Sequence, residues 1–234
     1  MKATVTVGRI YGIPIGVHYT WLAAFGFITW SLAEGFFPRF FPGWETITYW
    51  WLASVAAASL FLSVLIHELA HSAVALKRGI AVQSITLFIF GGMARTTSEA
   101  SSPGDEFVIA GVGPLASFVL AALFYGAAAG SGALGLGLGT AVVAEYLGFL
   151  NLTLAIFNLL PGFPLDGGRL LRATLWKTTG SLRRATRTAT GAGRFLGWGI
   201  IALGIYSFVV AGGFIGGLWL VFIGWFLSNA ARTS

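Results

Sequence analysis

Long apolar runs separated by short polar segments make up most of this chain. Each run comes close to the roughly 20 apolar residues that a helix needs to cross a bilayer. The runs predict about six membrane-spanning helices, at approximately 17–37, 47–76, 107–129, 141–160, 195–211 and 214–231. The pattern therefore predicts an all-α polytopic membrane protein.

One segment departs from the helical pattern. Residues 80–94, IAVQSITLFIFGGMA, are rich in β-branched and aromatic residues and end near Gly91 and Gly92, which is typical of a strand or hairpin. Unpaired backbone cannot face lipid, so this segment must be buried in protein or line a polar cavity. An exposed edge there could pair with an extended peptide. We expect a small membrane-associated strand or hairpin between the second and third spans, the alternative being a re-entrant loop that only packs.

Composition agrees with a membrane protein, since 56% of the residues are hydrophobic and 9% are charged, against about 25% charged in soluble domains. We expect one domain over residues 1–234. The chain has no cysteine, which excludes disulfides and thiolate metal sites. A metal would have to use histidine, aspartate or glutamate.

The basic residues indicate the orientation of the spans. With Lys2 and Arg9 inside, six crossings leave Arg39 as the one basic residue outside. The densest basic cluster precedes the fifth span and contains Arg169, Arg172, Lys177, Arg183, Arg184, Arg187 and Arg194. We interpret this cluster as a positive-inside signal rather than a nucleic-acid site. Both termini are therefore predicted to be cytoplasmic, and no nucleic-acid partner is expected.

Ionisable residues interrupt the second span in the stretch SVLIHELAHS. On a helix, His67 and His71 lie one turn apart on the same face and could bind one zinc ion, with Glu68 beside them as a general base. Ionisable groups within a span cost free energy and are functional by default. The alternative is a pair of hydrogen-bonded histidines with a paired Glu68.

The third ligand has to come from elsewhere in the chain. Asp105 lies in a polar stretch and is interpreted as the N-cap of the third span. Asp166 lies in NLLPGFPLDGGR, where Pro161 and Pro164 break the helix, and irregular backbone at membrane depth needs a protein-lined cavity. Asp166 is thus the candidate, although a helix N-cap or a partner for Arg169 is the alternative.

HELAH, AGVGPLASF and FNLLPGFPLDGGR together resemble the site-2 protease family of intramembrane zinc metalloproteases, in the branch with the sporulation sigma-factor processing proteases. GIPIGVHYTW and FGGMAR extend the resemblance over nearly all of the chain. It implies that His67, His71 and Asp166 bind one Zn²⁺ per chain, that Glu68 is general base and acid, and that Asn158 contacts substrate or stabilises the oxyanion. An Asn158 that only satisfies the broken helix is the alternative.

The resemblance also implies a substrate that is itself a transmembrane helix, unwound and held as an added strand near the metal in a prokaryotic cell membrane. Members of this branch often continue into a nucleotide-binding regulatory (CBS) module, whereas this chain stops at SNAARTS. We therefore expect a protease core without that module, with the lipid bilayer as partner and nucleotide only where such a module exists.

Other functions fit parts of the pattern. A divalent-metal or solute transporter could use His67, Glu68, His71 and Asp166 as a transit site, but the chain shows no inverted repeat. A scaffold with a dead site would have no use for Glu68. A zinc hydrolase acting on lipid or on a prenylated peptide is the nearest enzymatic rival, and the predicted strand favours an extended peptide.

Overall fold

Helices dominate the computed structural model, which describes residues 3–89, 91–210 and 213–232. In chain order the elements are β1 Val5–Ile10, β2 Ile13–Val17, α1 Thr20–Ser31, a π-helical turn Leu32–Phe36, α2 Phe37–Phe40, α3 Thr46–Lys77, β3 Val82–Phe88, β4 Gly91–Thr96, α4 Pro103–Gly130, α5 Leu138–Asn158, α6 Asp166–Thr179, α7 Leu182–Val209 and α8 Phe214–Arg232.

Within the described residues, 4 helices are long and apolar enough to cross a membrane, namely α3, α4, α5 and α7. They coincide with the predicted second to fifth spans. The predicted first span falls on α1, the π-helical turn and α2, and the sixth falls on α8. Membrane crossing by these two segments stays a prediction.

Helix α7 begins well before the predicted fifth span at 195–211. Gly180 ends α6 in the left-handed conformation, with φ 66°. Ser181 then caps α7, because its Oγ accepts a hydrogen bond from the Arg184 backbone N–H at 3.4 Å. The arginine-rich segment is therefore the first part of the same helix, which hydropathy could not reveal because arginine is polar yet favours helices.

The predicted hairpin is confirmed as β3 and β4, but it is half of a larger sheet. The strand order is β1-β2-β3-β4, with β2 and β3 parallel and the other two pairs antiparallel. The turn between β1 and β2 has positive φ at Tyr11 (52°) and Gly12 (77°), as a tight type I′ hairpin requires. The expectation of a strand or hairpin only between the second and third spans is therefore corrected.

The described chain divides by contacts into two compact units. The first contains Met1–Glu99 and Leu115–Ala155, and the second contains Ala100–Pro114 and Ile156–Ser234. We describe each unit by itself. The assignment of residues 1–234 to one domain stays a prediction.

Among the described residues of the first unit, two apolar clusters join its elements. The larger one joins the π-helical turn and α2 to α3 and α5 and contains Leu32, Ala33, Phe37, Tyr49, Ala53, Ala56, Val142, Val143 and Leu147. The smaller one places the sheet on α3, since Ile13, Ile15 and Ile85 pack against Leu65 and Leu69. The sheet therefore packs on α3, the helix that carries HELAH.

Glycines hold α7 against α8 in the second unit. A Cβ on Gly197 would lie 2.8 Å from the Gly224 carbonyl oxygen, and one on Gly204 would lie 2.7 Å from the Gly217 carbonyl oxygen. Small residues of this kind let helix backbones approach closely within a membrane. The two helices therefore form a tight hairpin.

Candidate metal centre

The two motif histidines face each other on α3. His67 and His71 are both buried, and their Nε2 atoms lie 3.2 Å apart. The four-residue spacing places both side chains on one face of the helix, one turn apart. The ring planes are nearly perpendicular, at 79°, and the two Nε2 atoms lie close enough together to share one ligand position.

The separation of these nitrogen atoms fits a zinc ion. Two nitrogen ligands about 2.0–2.1 Å from a tetrahedral zinc ion lie about 3.3–3.4 Å apart. The observed 3.2 Å is within about 0.2 Å of that value. The histidine pair therefore has the spacing that the sequence pattern predicts for two zinc ligands.

A serine contacts the far side of the first histidine. The Oγ atom of Ser117, on α4, lies 2.9 Å from His67 Nδ1. Ser117 is fully buried, with 0% of its surface exposed. Sequence reasoning did not single out Ser117, although AGVGPLASF contains it, because a serine in an apolar span gives no local sign of which group it meets across the fold.

The edge strand β4 lies directly against the candidate base. Glu68 is half-buried on α3, and a Cβ on Gly92 would lie 2.5 Å from its Cγ atom and 3.3 Å from its Cδ atom. A glycine at this position therefore lets the strand backbone approach the carboxylate. Gly92 belongs to the FGGMAR motif, but only the structure shows its contact with Glu68.

A polar contact lies one turn before His67. The Asn151 side-chain amide on α5 donates hydrogen bonds to Ser63 Oγ at 3.1 Å and to the Leu147 carbonyl oxygen at 2.9 Å. Asn151 is fully buried. It joins α5 to α3 as a packing amide.

In the second unit, Asp166 is the first residue of α6. The N-cap position belongs to Leu165, so the alternative that Asp166 is the N-cap is wrong. An aspartate in the first turn of a helix interacts favourably with the helix dipole. Asp166 is half-buried, and this degree of burial is compatible with metal binding and with a purely structural role.

The two glycines after Asp166 explain how α6 starts where it does. A Cβ on Gly167 would overlap the carbonyl oxygens of Leu159 and Leu160, and a Cβ on Gly168 would overlap the backbone of Gly162. The first turn of α6 thus packs directly on the irregular segment that follows α5. A side chain at either position would prevent this approach of the two backbone segments, so the Gly-Gly pair is needed here.

A buried ion pair holds α6 to α4 in the same unit. Arg172 Nε donates to Glu106 Oε1 at 2.6 Å, and the Arg172 guanidinium lies 5.2 Å from the centre of the Phe163 ring. Glu106 and Arg172 are both buried. The pair ties the helix carrying Asp166 to the first turns of α4.

Two further predicted residues lie in the second unit. Asn158 is the last residue of α5 and is half-buried, and its role stays a prediction. Asp105 is not the N-cap of α4, because Ser102 Oγ accepts from the Asp105 backbone N–H at 3.1 Å and donates to Asp105 Oδ2 at 2.7 Å. Ser102 is the capping residue, and the Asp105 carboxylate receives the hydroxyl proton.

Comparison with known protein families shows which family the chain belongs to. Residues 55–141 and 135–200 match the model of peptidase family M50, which is more than half of the chain. The chain belongs to peptidase family M50. The predicted resemblance to site-2 proteases is thereby confirmed, and the two matched ranges contain both HELAH and the segment with Asn158 and Asp166.

Curated relatives of this M50 chain carry zinc metalloprotease names. "Putative zinc metalloprotease Rip3" from Mycobacterium tuberculosis is 44% identical over 239 residues, covering 99% of this chain and 58% of that protein. A similarly named protein from Synechocystis is 39% identical over 100% of this chain and 60% of its own length. The chain thus spans about three fifths of the length of these relatives.

A solved site-2 protease structure shares the fold. The site-2 protease from Methanocaldococcus jannaschii superposes with a TM-score of 0.63 at 28% identity, over 98% of this chain and 94% of that one. Together with the apolar helices, family membership makes the chain an integral membrane protein with a site-2 protease fold. The assignment to a zinc metalloprotease family is confirmed.

Proposed function

We propose that the chain is an intramembrane zinc endopeptidase, which hydrolyses a peptide bond within or near the transmembrane segment of a membrane-protein substrate. The observation that carries this proposal is the His67 and His71 pair at zinc-ligand spacing with Glu68 next to it. All three residues lie on a helix of 32 residues that is apolar enough to span a membrane.

We assign His67, His71 and Asp166 as the ligands of one zinc ion per chain. Two histidines and a carboxylate leave a fourth position open, as in catalytic zinc sites. Asp166 is supported by its place at the start of α6 and by the engagement of the other aspartate, Asp105, in a helix cap. When bound, zinc supplies a coordinated water whose pKa is lowered to about 7 and polarises the peptide carbonyl.

The protein's own residues handle the protons. Glu68 accepts a proton from the attacking water and then gives a proton to the departing amine. In this proposal the Asn158 side-chain amide donates a hydrogen bond to the carbonyl oxygen as negative charge develops there. Partial burial of Glu68 limits competition from bulk water for its carboxylate.

The substrate binds, in this proposal, as a strand added to β4. A strand added at a sheet edge lies about 4.8 Å from its neighbour, and β4 is an edge strand that touches Glu68 through Gly92. A transmembrane helix must unwind to bind this way, which exposes its peptide bonds to attack. The edge strand favours an extended peptide over a lipid or a transported ion.

The finer topology belongs to the same proposal. We propose about six spans, including the α1–α2 segment and α8, with both termini cytoplasmic in a prokaryotic cell membrane. The basic residues between α6 and the apolar half of α7 support this orientation. Lipid and a transmembrane-helix substrate are the proposed partners, nucleic acid is not, and nucleotide would act only through a regulatory module.

A matched pair of proteins tests the mechanism. Wild type and Glu68→Gln are purified in detergent, and bound zinc is measured together with cleavage of a membrane-spanning test peptide. Gln keeps the size of Glu but cannot accept the proton, so we expect about one zinc ion in both proteins and cleavage reduced by about 10²–10⁴-fold in the variant. Equal cleavage by the two proteins would show that Glu68 is not the base.

The transporter alternative makes an opposite prediction in vesicles. A transit site would move zinc across a sealed bilayer without cutting any peptide. We expect reconstituted wild type to cleave the peptide and to leave zinc flux at the level of empty vesicles. Zinc flux above that level without cleavage would replace the proposal.

A further inference from the structure

Ser117 meets His67 at the ring nitrogen that does not face His71. Its Oγ lies 2.9 Å from His67 Nδ1, whereas His67 Nε2 lies 3.2 Å from His71 Nε2. The ring therefore has one nitrogen directed at the candidate metal position and the other at a hydroxyl. His67, His71 and Ser117 all belong to the first compact unit.

The direction of this hydrogen bond decides whether His67 can bind a metal. A hydroxyl that donates to Nδ1 would leave the proton of the neutral ring on Nε2, which then has no lone pair for zinc. An Nδ1–H that donates to Ser117 Oγ leaves the Nε2 lone pair free. Metal binding therefore requires Ser117 to act as the acceptor.

We infer that Ser117 is a positioning residue, which holds the tautomer and the ring orientation of His67 that zinc binding needs. This inference rests on the proposed function. Outer partners of zinc-bound histidines typically contribute about 10–100-fold to metal affinity. Ser117 differs from a carboxylate partner in adding no negative charge to the apolar interior.

Burial makes the contribution of this hydroxyl hard to replace. Ser117 is 0% exposed and His67 is 4% exposed, so water has little access to Nδ1 once the hydroxyl is removed. A buried N–H without a partner costs about 1–3 kcal/mol. The ring can avoid that cost by moving its proton to Nε2 or by rotating, and either change weakens zinc binding.

Ser72 provides a matched control. It is also a buried serine, 1% exposed, and lies next to His71 on α3. Its Oγ has no hydrogen-bond partner among the described residues. Ser72→Ala therefore removes the same atom from an equally buried position near the site without breaking a hydrogen bond.

Zinc affinity, measured by competition with a chromophoric chelator in detergent, tests the inference. We expect Ser117→Ala to bind zinc about 10–100-fold more weakly than wild type, with the stoichiometry unchanged at saturation. We expect Ser72→Ala to stay within about threefold of wild type, since it loses no hydrogen bond. Equal affinities of the two alanine variants would overturn the role of Ser117.

Two further variants separate this inference from packing effects and from the proposed function. Ser117→Thr keeps the hydroxyl, so we expect it to bind zinc more tightly than Ser117→Ala. If Ser117→Thr is as weak as Ser117→Ala, the residue matters for packing alone and the inference is wrong. Wild type that binds zinc no better than His67→Ala would instead contradict the proposed metal site itself, and this inference with it.

Discussion

The histidine pair and Asp166 are held in different ways. His67 and His71 occupy the same face of a long regular helix, where backbone periodicity alone brings them together. Asp166 begins a short helix after irregular backbone, and its position depends on glycines and on the Glu106–Arg172 pair. We therefore expect substitutions around α6 to act on folding and substitutions around Glu68 to act on the chemistry.

The largest loss of stability is expected for Arg172→Ala. Removing one partner leaves the Glu106 carboxylate buried without its counter-charge, which costs about 3–5 kcal/mol. Thermal unfolding in detergent measures the change. Arg187→Ala is the control, since Arg187 is exposed on α7 and should change stability by at most about 0.5 kcal/mol.

The next largest effect is expected for Gly167→Ala. The new Cβ would overlap the carbonyl oxygens of Leu159 and Leu160, and backbone cannot move aside cheaply, so we expect a loss of roughly 3 kcal/mol. The same unfolding assay tests this expectation. Gly191→Ala on α7 meets nothing within 4 Å and should be neutral or slightly stabilising. Equal stability of Gly167→Ala and Gly191→Ala would show that the start of α6 tolerates an added side chain as well as α7 does, which would contradict this prediction.

A change at Gly92 should affect catalysis instead of folding. The Cβ of Gly92→Ala would press on the flexible Glu68 side chain, which can move aside but then leaves the position that the proposed mechanism requires. We expect cleavage to fall by about 10–100-fold while zinc stoichiometry stays the same. Gly8→Ala on β1, the other edge strand, meets nothing within 4 Å and should cleave as wild type does. If Gly92→Ala lost as much stability as Gly167→Ala, the expectation that changes near Glu68 affect cleavage rather than folding would be wrong.

The smallest effect is expected for Asn151→Ala. It removes two hydrogen bonds in the first unit, to Ser63 and to the Leu147 carbonyl oxygen, at a cost of about 1–3 kcal/mol. We expect zinc affinity to change little, because the two hydrogen bonds that are lost join Asn151 to Ser63 and to Leu147 and involve no histidine. A large loss of zinc would show that this contact supports the metal site directly.

Part of the fold was predictable from local pattern. Strands β3 and β4 form the expected hairpin, because β-branched and aromatic residues favour strands and Gly91 adopts a positive φ of 128° where β4 begins. The N-terminal strands were missed even though Tyr11-Gly12 separates two short apolar runs. Their place in the sheet depends on the parallel pairing of Ile15 with Ile85, and such distant pairing leaves no periodic signal in the sequence.

By itself, the sequence determined the properties that depend on neighbouring residues. The apolar runs determined the membrane class, and the four-residue spacing of His67 and His71 determined their shared face, because helix geometry is local. The tertiary structure alone decided that Ser117 meets His67 and that Gly92 lies against Glu68. Those contacts join residues from different elements, and packing of whole elements, rather than local spacing, brings them together.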